Sequence, residues 1–196
     1  MADAELNAML ELLASLLVSG RTSALLFLLV TAAVIDFRSR RIPNWLVLSG
    51  AVYALVFNTV FPPWHNGTVL FPLAGLGLGL ALFLPLYLLR AMGAGDVKLL
   101  AMCGAFLGPN EIWRAALVIL LTGGVLAVVF VLANGTALRM VQNLATLFRV
   151  AALDTMTGAV PSLRIPARES AGRLPYGVAI AVGTAAYLVL HQLAFV

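Results

Sequence analysis

The chain has 196 residues, 62% of them hydrophobic and only 10% charged, with a mean hydropathy of +1.04. A soluble domain carries about 25% charged residues, so an ordinary soluble fold is excluded and an all-α, polytopic membrane protein is expected. The net charge of +4 has little meaning until it is divided between the two sides of a membrane. No polar tract is long enough for a second domain, so residues 1–196 read as one membrane-embedded domain.

Residues 2–19 are apolar but carry Asp3, Glu5 and Glu11, and Arg21 separates them from the first long apolar span. A secretory signal begins with basic residues, so residues 1–21 read instead as an interfacial helix or an extension of the first span. About six transmembrane helices are expected, from Thr22 to Phe37, Pro43 to Val60, Val69 to Leu89, Gly95 to Gly108, Ile112 to Ala133 and Pro175 to Phe195. The fourth is short, because a span needs about 20 residues to cross about 30 Å of hydrocarbon. A helix that starts inside protein resolves the deficit, and it presents free N–H groups to whatever lies at its tip. Residues 139–173 form the longest polar stretch and read as a basic cytosolic loop. Within it Val141, Leu144, Leu147 and Phe148 recur at helical spacing between arginines. That pattern fits an amphipathic helix on anionic lipid, or a loop helix that serves only topology.

Orientation follows from the basic residues. Arg38, Arg40, Arg41, Arg90, Lys98, Arg139, Arg149, Arg164, Arg168 and Arg173 fall on one side, and Arg21 and Arg114 on the other. The first side is then cytosolic, both termini are outside, and Asp36 and Asp96 emerge together at the cytosolic face.

Acids at the end of an apolar span are costly and usually serve a function. Each has a plain alternative: an ion pair with Arg38 for Asp36, and a helix N-cap for Asp96. Gly93 and Gly95 need a further reason, since they strip side chains from around Asp96 and allow a substrate strand or the other aspartate to approach. Two neighbouring carboxylates cannot both ionise readily, so the pair holds one proton. The ionised member can take a proton from water while the other donates to a peptide carbonyl. Lys98 lies close to Asp96 in sequence. Cys103 is the only cysteine and reads as a packing residue. His65 and His191 fall on the outer side, so no metal site and no cofactor is expected. Trp45, Trp64, Trp113, Tyr176 and Tyr187 read mostly as interfacial anchors.

Gly93-Ala94-Gly95-Asp96-Val97-Lys98 resembles the Gly-x-Gly-Asp-x-Lys motif of type IV prepilin peptidases. Asp36-Phe37-Arg38-Ser39-Arg40-Arg41-Ile42-Pro43-Asn44 is similar to the segment that holds that family's first catalytic aspartate, and Leu174-Pro175-Tyr176-Gly177 to the entry of its last helix. The resemblance implies catalysis by Asp36 and Asp96. Gly93, Gly95, Lys98, Arg38, Pro43, Asn44, Pro175, Tyr176 and Gly177 become supporting or substrate-binding candidates. It further implies a prepilin or pilin-like substrate cut at the cytosolic face of the cytoplasmic membrane, with the lipid bilayer as the other partner and no nucleic acid. The family's large members carry a cysteine-rich zinc segment and methylate the new N-terminus. A single cysteine points to the short, peptidase-only branch, most like the tight-adherence (Flp) pilus type, with archaeal preflagellin peptidases as the near alternative. A proton-coupled transporter using the same acids is the alternative from another class, although transporters place such acids near mid-membrane between inverted repeats. The oligomeric state is not legible.

Overall fold

The computed structural model describes residues 20–61, 69–89, 92–133 and 176–193. The expected helix within residues 1–19, the 139–173 loop, Trp64, His65, Arg90 and Pro175 lie outside the described residues. The described residues form six α-helices and no strand: α1 (Gly20–Ser39), α2 (Asn44–Val60), α3 (Leu70–Leu88), α4 (Ala94–Leu107), α5 (Pro109–Ala133) and α6 (Tyr176–Leu193). Among the described residues, four apolar helices are long enough to cross a membrane: α1, α3, residues Pro109–Phe130 of α5, and α6. The α2 helix is apolar but shorter, and α4 has only 14 residues. The chain divides into one unit of residues 1–123 with 175–196 and another of residues 124–174. Both aspartates belong to the first unit.

Local chemistry sets where the helices stop. The α1 helix ends where Arg40 takes a left-handed φ of 52°, and Ser39 Oγ donates to the carbonyls of Ile35 and Arg41 at 2.8 and 3.1 Å. Pro43 is extended, with φ −70° and ψ 136°, so α2 starts only at Asn44. A fifth helix starting at Ile112 is the sequence expectation, but α5 begins at Pro109. Gly108, with φ 80°, closes α4 and donates its N–H to the Gly104 carbonyl at 2.8 Å. Proline suits the first helical position, where no N–H is needed, so a single residue joins α4 to α5.

The α4 helix is the centre of the unit. Val97 and every residue from Leu99 to Leu107 are buried. Inside lipid, helices gain little from hiding apolar surface from one another, and close approach of backbones replaces that drive. Glycines provide it here. A Cβ on Gly75 of α3 would run into the Gly104 carbonyl of α4, and a Cβ on Gly104 into the Gly75 carbonyl. One turn along α3, a Cβ on Gly79 would lie 2.7 Å from the Leu100 carbonyl oxygen. On the other side, Asn58 Nδ2 of α2 donates to the Ala105 carbonyl at 2.8 Å. Gly183 of α6 packs so closely on α5 that a Cβ would sit 2.7 Å from Ile119 Cα. Cys103 is fully buried and faces Thr184 of α6.

Candidate active site

Asp36 lies one turn before the end of α1 and is only 5% exposed. Its Oδ2 accepts a 2.8 Å hydrogen bond from the N–H of Gly177, the second residue of α6. The first N–H groups of a helix have no partner within it, so the carboxylate sits where the start of α6 offers a free donor and a favourable dipole. Gly177 is needed for the contact. A Cβ there would lie 2.8 Å from Asp36 Oδ2 and 3.1 Å from its Cγ.

Asp96 is the third residue of α4 and half-buried. It is not the N-cap, a position that Gly93 takes in extended geometry. The Gly93 N–H donates to Asp96 Oδ2 at 3.1 Å, and the Asp96 N–H returns to the Gly93 carbonyl at 3.2 Å. A Cβ on Gly93 would stand 3.1 Å from Asp96 Oδ2. The two aspartates therefore share one arrangement, each with its Oδ2 held by a glycine amide. They are also close enough for the charge of Asp36 to act on Asp96.

The remaining predicted residues divide. No ion pair joins Asp36 to Arg38 among the described residues. The cation whose charge acts on Asp36 is Arg40, and its N–H also donates to the Asp36 carbonyl at 2.7 Å. Its left-handed backbone turns the chain back over the end of α1, and a run of three arginines gives no sequence cue to which one does so. Gly95 lies under the α1–α2 connection. A Cβ on it would meet Ile42 Cβ at 3.2 Å, so this glycine seats the α1–α2 connection against the start of α4. Lys98 donates from Nζ to Asn44 Oδ1 at 3.0 Å rather than pairing with Asp96. Tyr176 lies against α5, where a Cβ on Gly123 would come within 3.2 Å of its ring.

A second polar cluster lies at the opposite ends of these helices. Tyr187 is not a surface anchor: it is 6% exposed, and its hydroxyl donates to Glu111 Oε2. His191 Nε2 lies 3.2 Å from the same oxygen and Arg114 4.0 Å from Oε1. The charge of Glu111 also acts on Arg21 at the start of α1. Glu111 is an acid in the first turn of an apolar helix, and that is the signal that marks this cluster in the sequence.

A buried carboxylate and a half-buried one thus lie at the same end of an apolar helical unit. Residues 23–132, more than half of the chain and the part holding both aspartates, match the type IV leader peptidase family. The chain belongs to that family, which makes it a protease of the leader-peptidase kind. Comparison with curated proteins and with solved structures gave no match.

Proposed function

We propose that this protein is a membrane aspartic endopeptidase that removes the leader of prepilins and pilin-like proteins, with Asp36 and Asp96 as its two catalytic carboxylates. One observation supports this reading above the others. Within the family match, both acids have one oxygen held by a glycine N–H, and the charge of Asp36 reaches Asp96. Fixing one oxygen of each side chain by an amide orients the other oxygen and leaves it free to exchange protons. The ionised carboxylate takes a proton from water as the water attacks the scissile carbonyl. The protonated carboxylate donates to the carbonyl oxygen, giving a tetrahedral intermediate. Breaking the C–N bond with proton return to the leaving amine completes hydrolysis and restores the pair.

The reading places six spans in the cytoplasmic membrane, both termini outside, and the aspartates at the cytosolic rim where a leader meets its apolar helix. The basic residues of the Asp36 and Asp96 segments support that orientation. The single cysteine supports the short, peptidase-only branch.

Co-expression with a prepilin that has a glycine before its apolar helix tests the chemistry. Asp36→Asn and Asp96→Asn each keep an oxygen to accept the glycine N–H, so both variants fold and neither shortens the prepilin on a gel. Substantial turnover by either one sinks the two-carboxylate mechanism. Topology has its own assay in a Cys103→Ser background with a membrane-impermeant thiol reagent. Cysteines replacing Ser39 and Ser162 stay protected in intact cells, and one replacing Asn66 reacts. Labelling at Ser39 from outside inverts the orientation.

A further inference from the structure

We infer that Lys98 and Asn44 form a tether that sets the position of Asp36 relative to Asp96, so that both are positioning residues rather than contacts to substrate. The inference rests on the proposed peptidase reading and assigns these two residues a task within it. Lys98 lies two residues beyond Asp96 on α4. Asn44 is the first residue of α2, at the far end of the short connection that leaves Asp36.

That connection is held at three places. Its beginning is fixed by the Arg40 N–H, which donates to the Asp36 carbonyl at 2.7 Å. Its middle is fixed by Ile42, which lies in the notch that Gly95 leaves at the start of α4. Its end is fixed by the 3.0 Å bond from Lys98 Nζ to Asn44 Oδ1. Two of these three contacts come from α4, on either side of Asp96. The connection after one aspartate is thus clamped to the first turns of the helix that carries the other. Proline at 43 stiffens the piece in between, because its ring locks φ.

The tether suits an exposed position. A neutral amide oxygen accepts from the ammonium without adding a third carboxylate beside two acids that share one proton.

The test compares Lys98→Met, Asn44→Leu, the double variant and Asn44→Asp with the unaltered protein. Prepilin cleavage is followed over a range of pH, and amide hydrogen exchange over residues 40–44 is measured in detergent. Misplacing a reacting group by 1 Å can cost about a hundredfold, so partial loosening predicts a fall in kcat of about tenfold for each single variant. KM stays within about twofold, as expected when substrate binding is untouched. The double variant is no slower than the poorer single one, since both changes remove one interaction. Asn44→Asp keeps the acceptor, so exchange over 40–44 stays as slow as in the unaltered protein, whatever its added charge does to the rate. Exchange over 40–44 quickens alike in Lys98→Met and Asn44→Leu, and the pH profile keeps its midpoints.

Multiplying losses in the double variant overturn the tether, as does a shifted pH profile or a raised KM in Lys98→Met alone. Unchanged exchange over 40–44 also overturns it. If the unaltered protein cuts no prepilin, the peptidase reading fails, and the exchange measurement still decides the tether.

Discussion

Replacing Gly177 with alanine should separate the fold from the chemistry. The position is helical, and alanine is favoured over glycine in a helix by about 1 kcal/mol. The new methyl would nonetheless lie 2.8 Å from Asp36 Oδ2, 3.0 Å from its Cβ and 3.1 Å from its Cγ. Comfortable non-bonded contact begins near 3.5 Å, so the carboxylate has to retreat by about 0.7 Å or turn away. Either movement weakens the 2.8 Å bond from the Gly177 N–H, and a bond to a charged acceptor contributes about 1.5–3 kcal/mol. The helical gain offsets roughly half of that loss. The net change in stability is then about 1 kcal/mol, small enough for the protein to remain folded. The catalytic cost is larger, because near-attack geometry is lost at a reacting group, and kcat should fall by about ten- to a hundredfold. KM should hardly move. The assay is initial-rate cleavage of a purified prepilin in detergent, paired with a thermal unfolding scan of the same samples. Turnover within a factor of about two of the unaltered protein would show that the Asp36–Gly177 contact does not hold a catalytic group.

Two further substitutions probe the neighbouring contacts. Gly95→Ala should reduce cleavage by pushing Ile42 away from the start of α4, and adding Ile42→Ala should recover most of the rate. Failure of the second change to rescue the first would return Gly95 to a role beside substrate. Tyr187→Phe should lower the unfolding midpoint, because Glu111 loses a donor at a typical cost of about 1 kcal/mol, while kcat for prepilin stays unchanged. A loss of activity at constant stability would tie the far cluster to catalysis.

The helices are legible in the sequence because their apolar runs are long and their ends carry strong local signals. Proline at 43 and the glycine–proline pair at 108 and 109 mark helix ends, although Pro72 and Pro85 lie within α3. Sequence alone places the start of α5 one turn late, since Gly108 and Pro109 read as a loop when they are a single-residue joint. Asp36 and Asp96 stand out because acids are costly in apolar sequence, and the structure brings their segments to one end. Periodicity does not convey which groups meet across helices. Gly95 and Gly177 have the same residue type and both lie near an aspartate. One seats Ile42 and the other touches the Asp36 carboxylate. Likewise Arg38, Arg40 and Arg41 are equivalent as a charge run, and only the backbone turn at φ 52° distinguishes Arg40. The Tyr187–Glu111 contact joins residues 76 positions apart, and no local pattern encodes such a pairing.

The short α4 helix connects the fold to the chemistry. Its 14 residues extend about 21 Å at 1.5 Å per residue, well short of the roughly 30 Å of a hydrocarbon core. Such a helix survives in a membrane only if protein covers its sides and satisfies its ends. Its sides are covered from Leu99 to Leu107, through glycine contacts with α3 and the Asn58 bond from α2. One end runs directly into α5 through Gly108, whose carbonyl accepts the Ile112 N–H at 3.1 Å. The other end is closed by the reciprocal bonds between Gly93 and Asp96 and by the Ile42 contact. The same carboxylate that completes the helix start therefore lies within reach of the charge of Asp36, and extending α4 by a turn before Ala94 would take away the Gly93 N–H that holds it. On the proposed reading, the helix is short because its first turn carries one of the two catalytic acids.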